Sequence, residues 1–259
     1  MMTLARYGCS RRRTLAAGLG TLAWLASGGR WRGARAQEAA DPEAVAVLER
    51  AAAAMALLQS FRFRLTTERG ATTILEAVEL VSVEGGVERP DRFQATINAR
   101  LAFATISLDV VGVGETVWIE DPLSAEGGYQ QVSVETGLAD LLNPDRLLLQ
   151  AVGLIEQPTI AGEDTLDGVT ATVVEGDFRP LRALELAGTP VPTPTAEEQA
   201  EVGLVLDEPL FAQLWIEVGS DRVIQLAFQG RLTSLEDPGI IRVLRLFDFD
   251  QPLDIQPPV

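Results

Sequence analysis

Apolar and polar residues alternate through the second quarter of the chain. Phe61, Phe63 and Leu65 alternate with Arg62, Arg64 and Thr66. Phe93, Ala95 and Ile97 alternate with Gln94, Thr96 and Asn98, and Ala104, Ile106, Leu108 and Val110 alternate with Thr105, Ser107 and Asp109. A period of two places each apolar set on one face of a strand. After Gly112-Val113-Gly114, the segment Thr116-Val117-Trp118-Ile119-Glu120 repeats the pattern until Asp121-Pro122 stops it. Residues 74–83 are rich in β-formers but mixed in pattern, and Gly85-Gly86 and Arg89-Pro90-Asp91 read as turns. The sum is a run of antiparallel hairpins with one apolar and one polar face.

The flanks differ. Asp41-Pro42 supplies an N-cap and a first-turn proline, and residues 43–59 carry Val45, Leu48, Ala52, Met55 and Leu58 at helical spacing. The period breaks over residues 138–152, where Leu141, Leu142, Leu147, Leu148 and Leu149 with Asn143-Pro144 suggest one or two short helices. Strands resume at 155–160 and 169–175 around a tight turn at Asp167-Gly168. Residues 179–188 are a further helical candidate, residues 189–195 form a Pro-rich connector, and strands at 211–218, 223–228 and 240–249 precede a Pro-rich tail. This predicts an α+β domain over residues 37–259. Ten or so strands are many for one open twisted sheet, so it should curl strongly or close. The candidate covers, at 43–59, 138–152 and 179–206, are few for so much sheet. They leave either an ordinary packed core or an apolar cavity, and both have this composition.

Residues 1–36 stand apart. They hold seven arginines and no acid, with Ser10-Arg11-Arg12-Arg13 leading into a modestly apolar stretch and then Ala34-Arg35-Ala36. This reads as an export signal cleaved before Gln37, of the twin-arginine type with the general secretory type as the alternative, giving an extracytoplasmic domain; an uncleaved anchor is the other alternative. Cys9 precedes the apolar stretch, so no lipobox cysteine follows it.

Charge and composition then narrow the chemistry. Without those seven arginines the formal net charge of −16 becomes −23, which excludes nucleic acid and anionic lipid surfaces as partners. Beyond residue 36 there is no histidine, lysine or cysteine. Histidine general bases, thiol nucleophiles, Schiff-base lysines and His/Cys zinc sites are therefore unavailable there. No D-x-D-x-D-G calcium loop occurs. The expectation is a protein that binds rather than turns over substrate, with no metal or cofactor. A carboxylate-only glycosidase would need aromatics for sugar stacking, and only two tyrosines are present in the whole chain.

One order of words is familiar. Thr136-Gly137-Leu138-Ala139-Asp140-Leu141-Leu142 is followed by Gly162-Glu163-Asp164-Thr165-Leu166-Asp167-Gly168-Val169, the Pro-rich connector, Ala212-Gln213-Leu214-Trp215-Ile216-Glu217, and Asp250-Gln251-Pro252-Leu253-Asp254-Ile255-Gln256-Pro257-Pro258. With Gly85-Gly86-Val87-Glu88-Arg89-Pro90-Asp91-Arg92-Phe93 ahead of it, this resembles the LppX/LprAFG family of cell-envelope lipid carriers, related in fold to the LolA carriers, over residues 45–258. The resemblance implies a half-barrel, a strongly curved antiparallel sheet wrapped around a few helices, whose apolar cavity takes the acyl chains of a lipid or lipoglycan. It also implies a monomeric carrier that exchanges cargo with an envelope membrane transporter. The alternative on the same fold is a sensor module of an envelope-stress regulator. Many relatives carry a lipobox cysteine where this chain has Gln37, so permanent anchoring is not implied. On this resemblance the cavity wall is Phe93, Ala95, Ile97, Ile106, Leu108, Val110, Val117 and Ile119, with Leu141, Leu142 and Leu148 on the covering helices; plain core contact is the competing role for each. Trp118 is expected at a rim, and Trp215 in the core.

Overall fold

In this computed structural model the described residues are 40–75, 78–101, 104–120, 128–132, 145, 152–182, 205 and 207–258. Helix α1 (Pro42–Leu57) begins where the sequence says it should. Asp41 is extended, its carboxylate accepts from the Glu43 N–H at 2.9 Å, and Pro42 occupies the first turn. Ala44, Val47, Leu48, Ala51 and Met55 form its buried stripe. At the far end two of the orphan carbonyls, those of Met55 and Leu58, accept from Arg89 Nη1 at 2.7 and 2.8 Å. The remaining guanidinium nitrogens of Arg89 grip Asp145 bidentately at 2.8 and 2.6 Å. One arginine in the turn after β3 thus ties that turn to the helix end and to Asp145.

Among the described residues twelve strands follow: β1 (Ser60–Arg69), β2 (Thr72–Leu75), β3 (Val78–Glu88), β4 (Arg92–Leu101), β5 (Ala104–Val113), β6 (Thr116–Glu120), β7 (Tyr129–Val132), β8 (Glu156–Leu166), β9 (Val169–Phe178), β10 (Leu210–Glu217), β11 (Val223–Gln229) and β12 (Ile241–Phe247). They form one sheet in the order β7-β6-β5-β4-β3-β1-β12-β11-β10-β9-β8, with β2 paired to β3 off this path. All described pairs are antiparallel. Two meanders, one running outward to β7 and one inward from β8, meet where β1 pairs with β12. Among the described residues β7 and β8 do not pair, so the sheet stays open rather than closing.

Two expectations are corrected. Gly85-Gly86 is not a turn but lies inside β3. A Cβ on Gly85 would sit 2.8 Å from Phe63 Cζ and 2.1 Å from the Gln94 carbonyl oxygen, and one on Gly86 would sit 2.8 Å from Leu253 Cδ1. These glycines admit close packing on both faces of a strand, a role that sequence does not distinguish from a turn. The mixed run at 74–83 resolves into parts of two strands, β2 and β3, and the latter has a bulge between Leu80 and Ser82, which accounts for its broken period. Strand β7 was not anticipated. The helices expected over 138–152 fall outside the described residues except at Asp145 and Val152, and of the helix expected over 179–188 a short turn at 180–182 is described.

The α1 side of the sheet carries the main core. Phe61, Phe63, Val87, Phe93, Ala95, Val110 and Val117 from one meander join Val174, Leu214, Ile216 and Leu226 from the other around the helix stripe. The opposite side holds a smaller cluster of Ala171, Val173, Trp215 and Ala227, with Trp215 Nε1 donating to Asp164 at 3.0 Å. Trp215 is a core residue as expected, on the side away from the helix.

A polar knot pins β2. Arg242 and Glu236 form a buried ion pair, 5% and 0% exposed. Glu236 also accepts from the N–H groups of Thr73 at 3.1 Å and Leu232 at 2.7 Å, while Arg242 donates to Thr72 Oγ1 at 3.0 Å and the Gly230 carbonyl at 2.9 Å. Replacing one member strands the other's charge, so Arg242→Met should cost about 3–5 kcal/mol in urea unfolding. Arg64→Ala, which removes the exposed pair with Glu84, should cost under about 1 kcal/mol. Equal losses in the two variants would show that the knot carries no more than a surface pair.

Candidate functional site

The register brings apolar positions from nine strands into one line. Ile160 faces Val174, Val174 faces Leu214, Leu214 faces Leu226, and Leu226 faces Leu244. Across the junction Leu244 faces Leu65, Leu65 faces Val83, Val83 faces Ile97, and Ile97 faces Leu108. Because directly opposed residues share a face, this is a continuous apolar row on the α1 side. Its cover is unequal. Val174, Leu214 and Leu226 have no exposure, whereas Leu244, Leu65, Val83, Ile97 and Leu108 are half-buried.

The neighbouring rows show why. Phe63 faces Gly85, Gly85 faces Ala95, Ala95 faces Val110, and Val110 faces Ile119. Val87, Phe93, Gly112 and Val117 form the next row toward the turn held by Arg89. The rings of Phe63 and Phe93 lie over the two glycines: a Cβ on Gly112 would sit 2.1 Å from Phe93 Cε1. Most of these residues are buried, Phe93 at 4% and Val110 at 1% exposure, while Gly85 and Ile119 are half-buried. In the other direction β4 continues through Ala99 to Leu101, and β5 through Ile106 to Ala104. There Leu101 and Ile106 reach 46% and 37% exposure, although Ala99 remains buried.

Eight of the sequence-predicted wall residues, Phe93, Ala95, Ile97, Ile106, Leu108, Val110, Val117 and Ile119, therefore lie together on one face of three adjacent strands. Phe93, Ala95, Val110 and Val117 are core, Ile97 and Ile119 pack partly against it, Leu108 is half-buried and Ile106 is exposed. Leu141, Leu142 and Leu148 lie outside the described residues. Sequence reasoning omitted Leu65, Val83, Ala99 and Leu101. Extending the alternation of β4 by four residues would have found the last two; Leu65 and Val83 need the register. Trp118 alternates with Val117 and Ile119 onto the opposite face, half-buried beside Val111 and Gln131.

From Phe93 to Leu101 and from Ala104 to Gly112, every residue on this face is apolar, so it offers no hydrogen-bond donor, acceptor or charge from side chains. The polar residues of these strands, such as Thr96 donating to Asp109 at 2.6 Å, lie on the other side. There Tyr129 has its phenol pushed above the ordinary value by burial and by the nearby Asp109 and Glu120 carboxylates. Among the described residues no cluster of three or more His, Cys, Asp or Glu side chains could hold a metal ion. What the surface can do is cover hydrocarbon, at about 25 cal/mol per Å² of apolar area removed from water.

The sequence matches the family model described as LppX_LprAFG lipoprotein over residues 41–184. Among solved structures, LprF from Mycobacterium bovis is similar at 20% identity and a TM-score of 0.58, covering 85% of this chain and 99% of that one. The Mycobacterium tuberculosis lipoprotein LppX is similar at 14% identity and a TM-score of 0.55, covering 84% of this chain and 100% of that one. These two likenesses are of fold. No curated protein matches the sequence.

The unequal cover makes a testable difference within one row. Leu214→Ala should lower unfolding free energy by about 2–5 kcal/mol, while Leu108→Ala, already partly in water, should lower it by less than about 1.5 kcal/mol. Matching losses in chemical denaturation would mean that the row is sealed throughout.

Proposed function

We propose that this chain, which belongs to the LppX_LprAFG lipoprotein family, is an exported lipid carrier that holds acyl chains against the α1 side of β3, β4, β5 and β6. The observation that carries this reading is the graded apolar face: a floor of Phe63, Phe93 and Val110 buried in the core, opening into half-buried Val83, Ile97 and Leu108. A face made only to be core would be covered along its length, as the β9–β11 part of the same row is. Hydrocarbon bound here gains roughly 0.8 kcal/mol per CH₂ buried, without any reactive group. The wall extends to Ala95, Val117 and Ile119, with residues 141, 142 and 148 supplying cover, in the half-barrel arrangement that the family resemblance implies.

Two further features suit the role. Among the described residues no helix is long and apolar enough to cross a membrane, which fits a domain that carries its cargo through water. The Arg-rich segment of residues 1–36 is proposed as the export signal, and residues 37–259 as the carrier domain. The cargo is a lipid or lipoglycan, the partner an envelope membrane protein, and the working state a monomer.

Organic extraction of natively purified protein followed by mass spectrometry should recover a lipid with acyl chains in near-stoichiometric amount. Ala95→Trp, which fills the floor between Gly85 and Val110, should reduce that amount at least several-fold while the protein remains folded by circular dichroism. Recovery of no lipid, together with no uptake of an added diacyl lipid, would remove the carrier reading.

A further inference from the structure

The apolar lane has a direction. On β4 the residues facing α1 run Phe93, Ala95, Ile97, Ala99, Leu101, and on β5 they run Gly112, Val110, Leu108, Ile106, Ala104, each paired across the hairpin. Nothing polar interrupts either file over about 27 Å of strand, at about 3.4 Å per residue. One end is closed by the Phe93 ring over Gly112 and by the core around α1. The other end is the β4–β5 hairpin, where Leu101 and Ile106 are exposed. Val78 of β3 pairs with Leu101, and Val81, left unpaired at the β3 bulge, is 38% exposed. The lane therefore runs from packed core to an apolar end in water.

We infer that the Leu101/Ile106 end of the β4–β5 hairpin is the mouth through which an acyl chain enters and leaves, and that it does so in contact with the surface of an electrically neutral bilayer. This rests on the carrier reading above and adds to it a place and a partner surface. A lipid leaving a bilayer exposes its tail at roughly 0.8 kcal/mol per CH₂ unless an apolar path meets the membrane. The lane is such a path, and among the described residues Leu101 and Ile106 are its exposed large side chains. Charge selects the surface. The chain carries a formal net charge of −16, so anionic headgroups repel it at a distance. At this end the opposite face of the hairpin shows uncharged Thr105 and Ser107, and Arg100 is matched by Glu79 at 3.2 Å. Among the described residues this ion pair carries no net charge, leaving apolar contact with zwitterionic headgroups as the favourable encounter. The lipid's headgroup stays at the mouth and the end of its tail lies toward Phe93.

The test measures transfer of a self-quenched, acyl-labelled phosphatidylcholine from phosphatidylcholine vesicles to the full chain, read as dequenching against time. Leu101→Glu with Ile106→Glu should slow transfer at least ten-fold, by more than any loss in the amount bound at equilibrium, with the melting temperature unchanged. The uncharged pair Leu101→Gln and Ile106→Gln should slow it in the same sense by a smaller factor, which covers the case where the charged variant folds poorly. Thr105→Glu with Ser107→Glu, on the other face of the same hairpin, should transfer within two-fold of the native rate. Native-like transfer by both Leu101/Ile106 variants, or an equal slowing by the Thr105/Ser107 variant, would overturn the mouth while leaving the carrier reading standing. No uptake by the native chain would remove both.

Discussion

The pairing of β1 with β12 holds the rest of the sheet together. The first strand after the helix and the last described strand lie side by side at the centre, so neither meander has a complete core until these two strands have met. Each meander alone is a run of local hairpins. Their junction aligns Phe63 with Leu246 and Leu65 with Leu244, and that alignment turns two short apolar rows into one spanning nine strands. Around the junction the ends are fastened by hydrogen bonds: the Gln59 N–H to the Asp250 carboxylate at 2.8 Å, and the Asp250 N–H to the Ser60 carbonyl at 2.9 Å. Contacts so distant in sequence carry a large loop-closure cost before they contribute, which places the junction late in folding and makes its apolar register the feature that must not slip.

Given that junction, α1 can lie against both meanders, and it does so unequally. Its stripe meets Val223 and Leu226, with the Val223 N–H 3.4 Å from Met55 Sδ. Arg89 fixes its far end to the β3–β4 turn. The helix start is tied beside β8, where the Asp41 N–H donates to the Pro158 carbonyl at 2.9 Å, while the ends of β4 and β5 at Leu101 and Ile106 are exposed. The small residues along the lane, Gly85, Ala95, Ala99 and Gly112, keep its floor low, while Phe63 and Phe93 fill the space above the two glycines. Among the described residues, depth along the lane follows from which strand positions lack a large side chain.

Much of this was legible in the alternating segments. The strands around Phe93–Asn98 and Ala104–Val110, and the capped helix after Asp41, follow from period and end signals, and the resemblance to the LppX/LprAFG family matches the family to which the chain belongs. The eight positions expected to form a wall share one face of β4, β5 and β6, as strict alternation assigns faces without any knowledge of partners. What remained hidden depends on partners. Gly85-Gly86 carries the signature of a turn, and only Phe63 and Leu253 packing onto its two sides explains its place in a strand. Leu65 and Val83 join the lane through register, which a single sequence does not encode locally. Leu80 and Ser82 flank a bulge that scrambles the period of β3, so its apolar face could not be counted.

The distribution of polar chemistry bears on what such a face can select. The most buried charged groups described, Arg242 with Glu236 and Arg89 with Asp145, are engaged with each other and with backbone groups, and they hold structure at β2 and at the helix end. The lane itself has none. Recognition there must come from area and shape, which vary by small increments per methylene and do not discriminate between headgroups. A carrier built this way would discriminate by the length and bulk of hydrocarbon that its floor accepts. Ala95 and Ala99 set that limit more than any polar contact, because adding a side chain at either removes volume from the lane without changing its chemistry. Headgroup preference, where it exists, must then arise outside the lane, at the end where Arg100 and Glu79 stand beside Leu101.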